Sequence, residues 1–338
     1  MTDFLDKVNF NKKNIWLVTG ASGFIGSNLL NFLLKKNQKV IGIDNFSNSK
    51  KKNINKIKKE NKKKIKNLKF INKDLLNVNY RLKIFKKIDY VIHLAALGSV
   101  PRSFEQTLLS SRNNLDIYLR LLDFIKNKKI KRLIVTSSSS IYGNSNSKLK
   151  NENLKYDPLS PYAVSKTAIE FYSKIYAKNF NLPIIVFRIF NVFGPYQQTE
   201  SQYSAVIPKW IKLYIKNKKI YIHGKKTISR DFTYVDNILY AIFLISKMNK
   251  NLKKFDIFNI ACGKKISLGL ILNSIKKNFS QILPYNKLKI NYTAQRKGDI
   301  ETSLANIKKS KNILKYFPIV QFESGLKKTM DWIIDNKW

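Results

Sequence analysis

The sequence predicts an α/β fold, a doubly wound and mostly parallel sheet with a smaller mixed α/β region after it. Three observations carry that prediction. A bulky apolar run, Ile15-Trp16-Leu17-Val18, leads through the turn Thr19-Gly20-Ala21-Ser22-Gly23-Phe24-Ile25-Gly26 into apolar residues at helical spacing over 27–34. Short strand-like runs then alternate with helix-like segments as far as Arg188. Beyond Arg188 the alternation loosens into loops and shorter elements.

The first strand, turn and helix read as half of a Rossmann-type dinucleotide-binding unit. Gly20 permits the tight turn, Gly23 lets backbone approach a pyrophosphate, and Gly26 lets helix pack close on strand. The helix N-terminus offers free N–H groups and a positive dipole end to phosphates. A second strand over 39–43 ends in Asp44, within the reach of about 20 residues expected of a ribose-binding acid. The glycine spacing is GxxGxxG rather than the commoner GxGxxG.

The lysine-dense block 50–69 reads as a solvated helix or loop, since no stacking aromatics interrupt it. Residues 68–72 form a short strand leading to Asp74 and Leu75, and 89–96 a buried strand whose small last residues let a flat ring lie against it. A long helix over 110–126, a strand over 132–136, a helix over 162–179 and a strand over 183–188 complete the series. This assigns 1–190 to a dinucleotide-binding domain and 191–338 to a substrate-binding region. Within the latter, helices are expected over 207–216 and 235–246, and strands over 220–223 and 256–260. Part of this region, 234–262, could return to the first domain. The helices 110–126 and 162–179 are apolar on more than one face, where a sheet-covering helix needs one stripe. The surplus predicts a homodimer through these two helices, or burial under the C-terminal segment.

The 64 Lys and Arg against 21 Asp and Glu leave a net charge of +43, which would suit nucleic acid or an anionic surface. Lysine supplies most of it and is spread along the chain, whereas specific phosphate and base recognition favours arginine forks. Weak binding to nucleic acid at low salt is expected, specific binding is not. The single cysteine, Cys262, excludes an internal disulfide. With no signal-like N-terminus and no apolar stretch of membrane-spanning length, a cytoplasmic protein without membrane partners is expected. No metal site is expected.

Chemistry enters with Tyr162-Ala163-Val164-Ser165-Lys166. Tyrosine and lysine at i and i+4 share one helical face, and an ammonium beside a phenol favours phenolate, a base usable near neutrality. The serine run Ser137-Ser138-Ser139-Ser140, at the end of the preceding strand, can hydrogen-bond a substrate oxygen and share its proton.

The glycine turn, Asp44, His93-Leu94-Ala95-Ala96, the serine run with Tyr142-Gly143, and Tyr-x-x-x-Lys together resemble the extended short-chain dehydrogenase/reductase family. Within it the chain resembles the NAD-dependent nucleotide-sugar 4-epimerases. Finer stretches resemble the bacterial UDP-N-acetylglucosamine 4-epimerases: Gly98-Ser99-Val100-Pro101-Arg102, Phe190-Asn191-Val192-Phe193-Gly194, Ala205-Val206-Ile207-Pro208 and Ser229-Arg230-Asp231-Phe232.

The resemblance implies a redox cycle with no net redox. Tyr162 takes the proton of the sugar 4-hydroxyl with Ser138 bridging, C4 gives up its hydride, and the 4-keto sugar turns over and is reduced on its other face. Catalysis would rest on Ser138, Tyr162 and Lys166. Gly20, Gly23, Phe24, Ile25 and Gly26 would hold the pyrophosphate of NAD, Asp44, Asn45 and Ser47 its adenosine ribose, and Asp74 with Leu75 its adenine. Leu94, Ala95, Ala96, Asn114, Tyr162, Lys166 and Val192 would line the nicotinamide end. For a UDP-sugar, Ser99, Ser138, Ser139, Ser140 and Asn191 would face the hexose, and Val206, Tyr221, His223, Arg230, Arg296 and Asp299 would hold the nucleotide.

Asp44 accepts hydrogen bonds from a 2′-hydroxyl and repels a 2′-phosphate, which favours NAD over NADP. The family often has a glycine near Ser49, and Lys50, Lys51 and Lys52 follow here, a departure that bears on this loop. Related dehydratases carry Asp-Glu, and related decarboxylases a glutamate, where this chain has Ser139-Ser140-Ile141. That argues for plain epimerisation. Ser303 matches a position where a bulky residue would exclude 2-acetamido sugars. The resemblance thus implies interconversion of UDP-GlcNAc and UDP-GalNAc, with UDP-Glc/UDP-Gal as further substrates. Alternatives are 4-epimerisation of UDP-GlcNAc uronate, whose carboxylate Arg102 or the lysines could favour, a related dehydratase or decarboxylase, and a nucleic-acid-binding protein on the same fold.

Overall fold

The computed structural model describes residues 4–336 except 146, 200–202, 249–251, 281 and 295–301. Its centre is a seven-stranded sheet: β1 (Ile15–Thr19), β2 (Lys39–Asp44), β3 (Leu68–Asn72), β4 (Tyr90–His93), β5 (Arg132–Ser138), β6 (Ile184–Ile189) and β7 (Phe255–Ile260). The order is β7-β6-β5-β4-β1-β2-β3 and every neighbouring pair is parallel. Trp16, Leu17 and Val18 of β1 are fully buried, as a run apolar on both faces requires. The strand order reverses between β1 and β4, and the crevice at their carboxyl ends is where such sheets bind ligands.

Two apolar layers sandwich the sheet. On one side Leu29, Leu30 and Leu33 of helix Phe24–Lys35 pack with Ile238, Ile242 and Ile245 of helix Val235–Lys247. On the other, Tyr118, Leu121, Leu122 and Ile125 pack with Ile169 and Ala177 of helix Pro161–Asn179. The segment 256–260 is an edge strand of this sheet, and helix Val235–Lys247 packs in the same layer as the glycine-turn helix. The lysine block forms helix Lys51–Glu60 and a 3-10 turn, Lys62–Asn67.

The expected helix over 110–126 is interrupted. Helix Thr107–Ser111 passes through a π-turn, Arg112–Asp116, before Ile117–Ile125 resumes α geometry. The π-turn contains Asn114, whose Oδ1 accepts the Leu97 N–H at 2.7 Å, so an out-of-register turn joins the helix to the loop after β4.

A second core, built on Ile207, Ile211, Ile271, Ile275 and Leu326, joins helices Val206–Ile215, Leu268–Phe279 and Phe322–Asp335. Strand Ile220–His223 pairs with Ile290–Thr293, and Ser229–Arg230 is flanked by Ile266–Ser267 and Thr302–Ser303. Among the described residues no helix is long and apolar enough to cross a membrane.

Candidate active site

The glycine turn is shaped by close approach. Gly20 has φ +66°, and a Cβ there would come 2.7 Å from Ala95 N. At Gly26 a Cβ would lie 2.0 Å from Gly20 O, so the helix can start here only without a side chain. Gly23 caps this helix with no side chain over its first N–H groups. They border a cavity of about 610 Å³ that Gly20, Gly23, Phe24, Ile25 and Gly26 line. Backbone donors, a positive helix end and an acid at the neighbouring strand suit a dinucleotide.

That acid is held firmly. Asp44 Oδ2 accepts Ser22 N–H at 3.0 Å, while Oδ1 accepts Phe46 N–H at 2.8 Å and the Ser49 hydroxyl at 3.0 Å. Ser49 therefore braces the carboxylate. Asn45, Ser47 and Leu75 line the same cavity. Asp74 stands behind them: it accepts Asn45 Nδ2–H at 2.9 Å and caps the short turn at Leu75 through Leu76 N–H. Leu94, Ala95, Ala96 and Val192 line the far end of the groove. Asn114 does not. It is fully buried, its amide donating to Ser165 Oγ at 3.1 Å, and it holds the loop at Leu97 rather than the groove surface.

Helix Pro161–Asn179 brings Tyr162 and Lys166 to the cavity wall. Ser160 caps it by accepting Ala163 N–H at 3.1 Å, and Pro161 suits the first turn. This brings Tyr162 to a hydrogen bond with Ser138. The hydroxyl and backbone N–H of Ser140 both donate to Ser138 Oγ, at 3.0 and 3.2 Å. Lys166 Nζ donates to Thr136 O at 2.9 Å and lies 5.9 Å from the Tyr162 ring centre. Burial lowers the Lys166 pKa to about 8, with Glu170 acting in the opposite sense. Burial raises the Tyr162 pKa, with the Ser138 hydrogen bond pulling it down. The protein's own groups thus leave Tyr162 a phenol at neutrality, and phenolate needs a further positive charge beside it.

The helix is anchored from below. Glu170, one turn past Lys166, pairs with Arg188 of β6 at 2.7 Å, both side chains being almost wholly buried. The guanidinium lies between the rings of Tyr142 and Tyr156, 4.9 and 5.1 Å from their centres.

On the other side of the groove Ser99, Ser139, Ser140, Asn191, Arg230 and Ser303 line the main cavity. A second cavity of about 270 Å³ adjoins it at Asn191 and Arg230 and contains Val206, Tyr221 and His223. Lys209, Trp210 and Phe232 line it too, and periodicity could mark them only as helix or strand residues. The Ser303 hydroxyl is buried and has no hydrogen-bond partner among the described residues. Arg296 and Asp299 lie outside the described residues. Sequence reasoning also missed Asn48, Gln198 and Tyr203 at the cavity rim, which come from separate loops with no shared motif.

The description "NAD dependent epimerase/dehydratase family" belongs to a sequence profile that matches residues 16–261. The chain belongs to that family. The family is NAD-dependent, and the glycine cradle and Asp44 suit that dinucleotide. A UDP-glucuronate 4-epimerase from Thermodesulfobacterium geofontis is 34% identical over 95% of this chain and 96% of its own. Among solved structures, a UDP-N-acetylglucosamine 4-epimerase from Methanobrevibacter ruminantium, in complex with UDP-N-acetylmuramic acid, is 36% identical with a TM-score of 0.85, covering 96% of this chain and 99% of that one. The UDP-glucuronic acid 4-epimerase of Bacillus cereus, in complex with UDP-glucuronic acid and NAD, is 31% identical with a TM-score of 0.85, covering 95% and 99%.

Proposed function

We propose that this family member is a UDP-sugar 4-epimerase that interconverts UDP-GlcNAc and UDP-GalNAc through a 4-keto intermediate. One observation carries the choice of epimerisation over dehydration or decarboxylation. Among the described residues lining the two cavities the sole carboxylate is Asp44, at the ribose end, and none stands beside Ser138 to move protons at C5 or C6. The acetamido preference rests on Ser303, small and facing the cavity. Arg102 is turned toward Asn48, its Nη1 donating to Asn48 Oδ1 at 3.0 Å, which weakens the case for a sugar carboxylate there.

When bound, NAD supplies a reversible acceptor for the C4 hydrogen and a positive charge beside the phenol. Tyr162 Oη receives the 4-hydroxyl proton, with Ser138 sharing it, and buried Lys166 offsets the negative charge that develops. The keto sugar turns about its link to the diphosphate, C4 regains its hydride on the opposite face, and the 4-oxygen takes the proton back from Tyr162. Arg230 and the second cavity hold the nucleotide while the sugar turns.

The test is incubation of purified protein with UDP-GlcNAc, UDP-Glc and UDP-GlcNAc uronate, assaying each 4-epimer. UDP-GalNAc formation is expected, and Tyr162→Phe should lower kcat by about 10²–10⁴-fold. Faster turnover of the uronate would overturn the substrate assignment, and unaltered activity in Tyr162→Phe the chemistry.

A homodimer belongs to the same reading. Leu119 and Phe124 of the first long helix are largely taken up by packing, but Val164, Phe171 and Ile175 remain about half exposed beside Leu108. Light scattering should give twice the monomer mass, and Ile175→Glu should shift it to one. A monomeric wild type would refute the interface.

A further inference from the structure

Three parts of the chain distant in sequence meet over the rim of the cofactor groove: the loop 45–49 after β2, the helix Val100–Glu105, and the residues Gln198 and Tyr203. Asn48 sits where they converge. Its Oδ1 accepts Arg102 Nη1–H at 3.0 Å, and its backbone oxygen accepts Gln198 Nε2–H at 2.8 Å. The Arg102 guanidinium covers the Tyr203 ring, 4.4 Å from its centre, and the Tyr203 hydroxyl donates to Glu105 on the helix of Arg102. Asn48, Arg102, Gln198 and Tyr203 all line the main cavity, and none of these contacts involves Ser138, Tyr162 or Lys166.

The two walls so joined have different tasks. Loop 45–49 starts at the acid that faces the ribose, and Arg102 stands one helical turn from Ser99, whose hydroxyl caps its helix by accepting Arg102 N–H at 3.3 Å. We infer that Arg102 is a latch that bridges the ribose loop and Tyr203 across the groove and keeps NAD captive between turnovers. An arginine suits the position because its planar head donates in its plane to Asn48 while offering a face to the Tyr203 ring. A lysine ammonium, compact and strongly hydrated, lacks that combination. An epimerase that returns its reducing equivalents in every cycle has no need to release the cofactor, so a latch costs it no turnover. The inference rests on NAD occupying the glycine groove.

The experiment measures exchange of bound NAD for radiolabelled NAD in purified holoenzyme. Arg102→Ala should exchange about ten- to a hundredfold faster than wild type, the scale of one charge-assisted hydrogen bond and one cation–π contact. Asn48→Ala removes the acceptor and leaves the arginine. It should also speed exchange, and the double variant should fall short of the product of the two effects, because they share a contact. Arg102→Lys should stay close to Arg102→Ala. Activity of Arg102→Ala should decline on dilution and return with added NAD. Exchange rates in both single variants equal to wild type, or effects that multiply fully, would overturn the latch. Wild-type protein that neither carries nor takes up NAD would instead overturn the cofactor assignment, so the two failures are distinguishable.

Discussion

Lys166 is a proposed functional group and a buried charge, and removing it separates the two. The residue is 3% exposed, and burial lowers its pKa from 10.5 to about 8. That difference corresponds to about 3 kcal/mol opposing the charged form in the folded protein at neutral pH. The folded pKa is the lower one, so between pH 8 and 10.5 the unfolded chain holds the extra proton. Wild-type stability attributable to this group therefore rises with pH across that window. In Lys166→Met the charge is gone, but Thr136 O loses its partner, an offset of about 1–3 kcal/mol. The variant, stripped of NAD, should unfold within about 1 kcal/mol of wild type at pH 7. It should fall behind by a further 2 kcal/mol or so by pH 10. Urea unfolding of both proteins from pH 7 to 10 reads this directly, because other titrations cancel in the difference. Epimerase activity should meanwhile drop by about 10²–10⁴-fold. A stability difference that stays flat with pH, or moves the other way, would refute the picture of a buried, charge-strained lysine.

Two further outcomes follow from the packing around the site. Ser303→Tyr should lower kcat/KM for UDP-GlcNAc by about 100-fold, and for UDP-Glc far less, measured side by side; equal losses would mean that Ser303 does not face the acetamido group. Glu170→Gln leaves the Arg188 guanidinium buried without its carboxylate and should destabilise by about 3–5 kcal/mol in denaturant unfolding. A loss under about 1 kcal/mol would show that the Tyr142 and Tyr156 rings hold the arginine unaided.

Much of this was legible along the chain because its causes are local. The run Ile15-Trp16-Leu17-Val18, the glycine turn and the helix after it are adjacent in sequence, and glycine is required there for contacts with Gly20 O and the Ala95 backbone. Tyr162 and Lys166 share a helical face by spacing alone. Asn114, expected at the nicotinamide end, lies in a π-turn and its side chain meets Leu97. Arg102 looked available for a substrate carboxylate until Asn48 and Tyr203, from other loops, proved to be its partners.

The sequence by itself determined the sheet-forming runs, the glycine turn and the shared helical face of Tyr162 and Lys166, since backbone geometry and side-chain spacing over a few residues specify each. Tertiary structure alone decided that the strand after residue 254 returns to the central sheet as β7, and that Glu170 is neutralised by Arg188. It also decided that Asn48, Arg102 and Tyr203 close over one groove. Such contacts join residues from 18 to 101 positions apart, and no period or motif in the chain encodes which loop meets which.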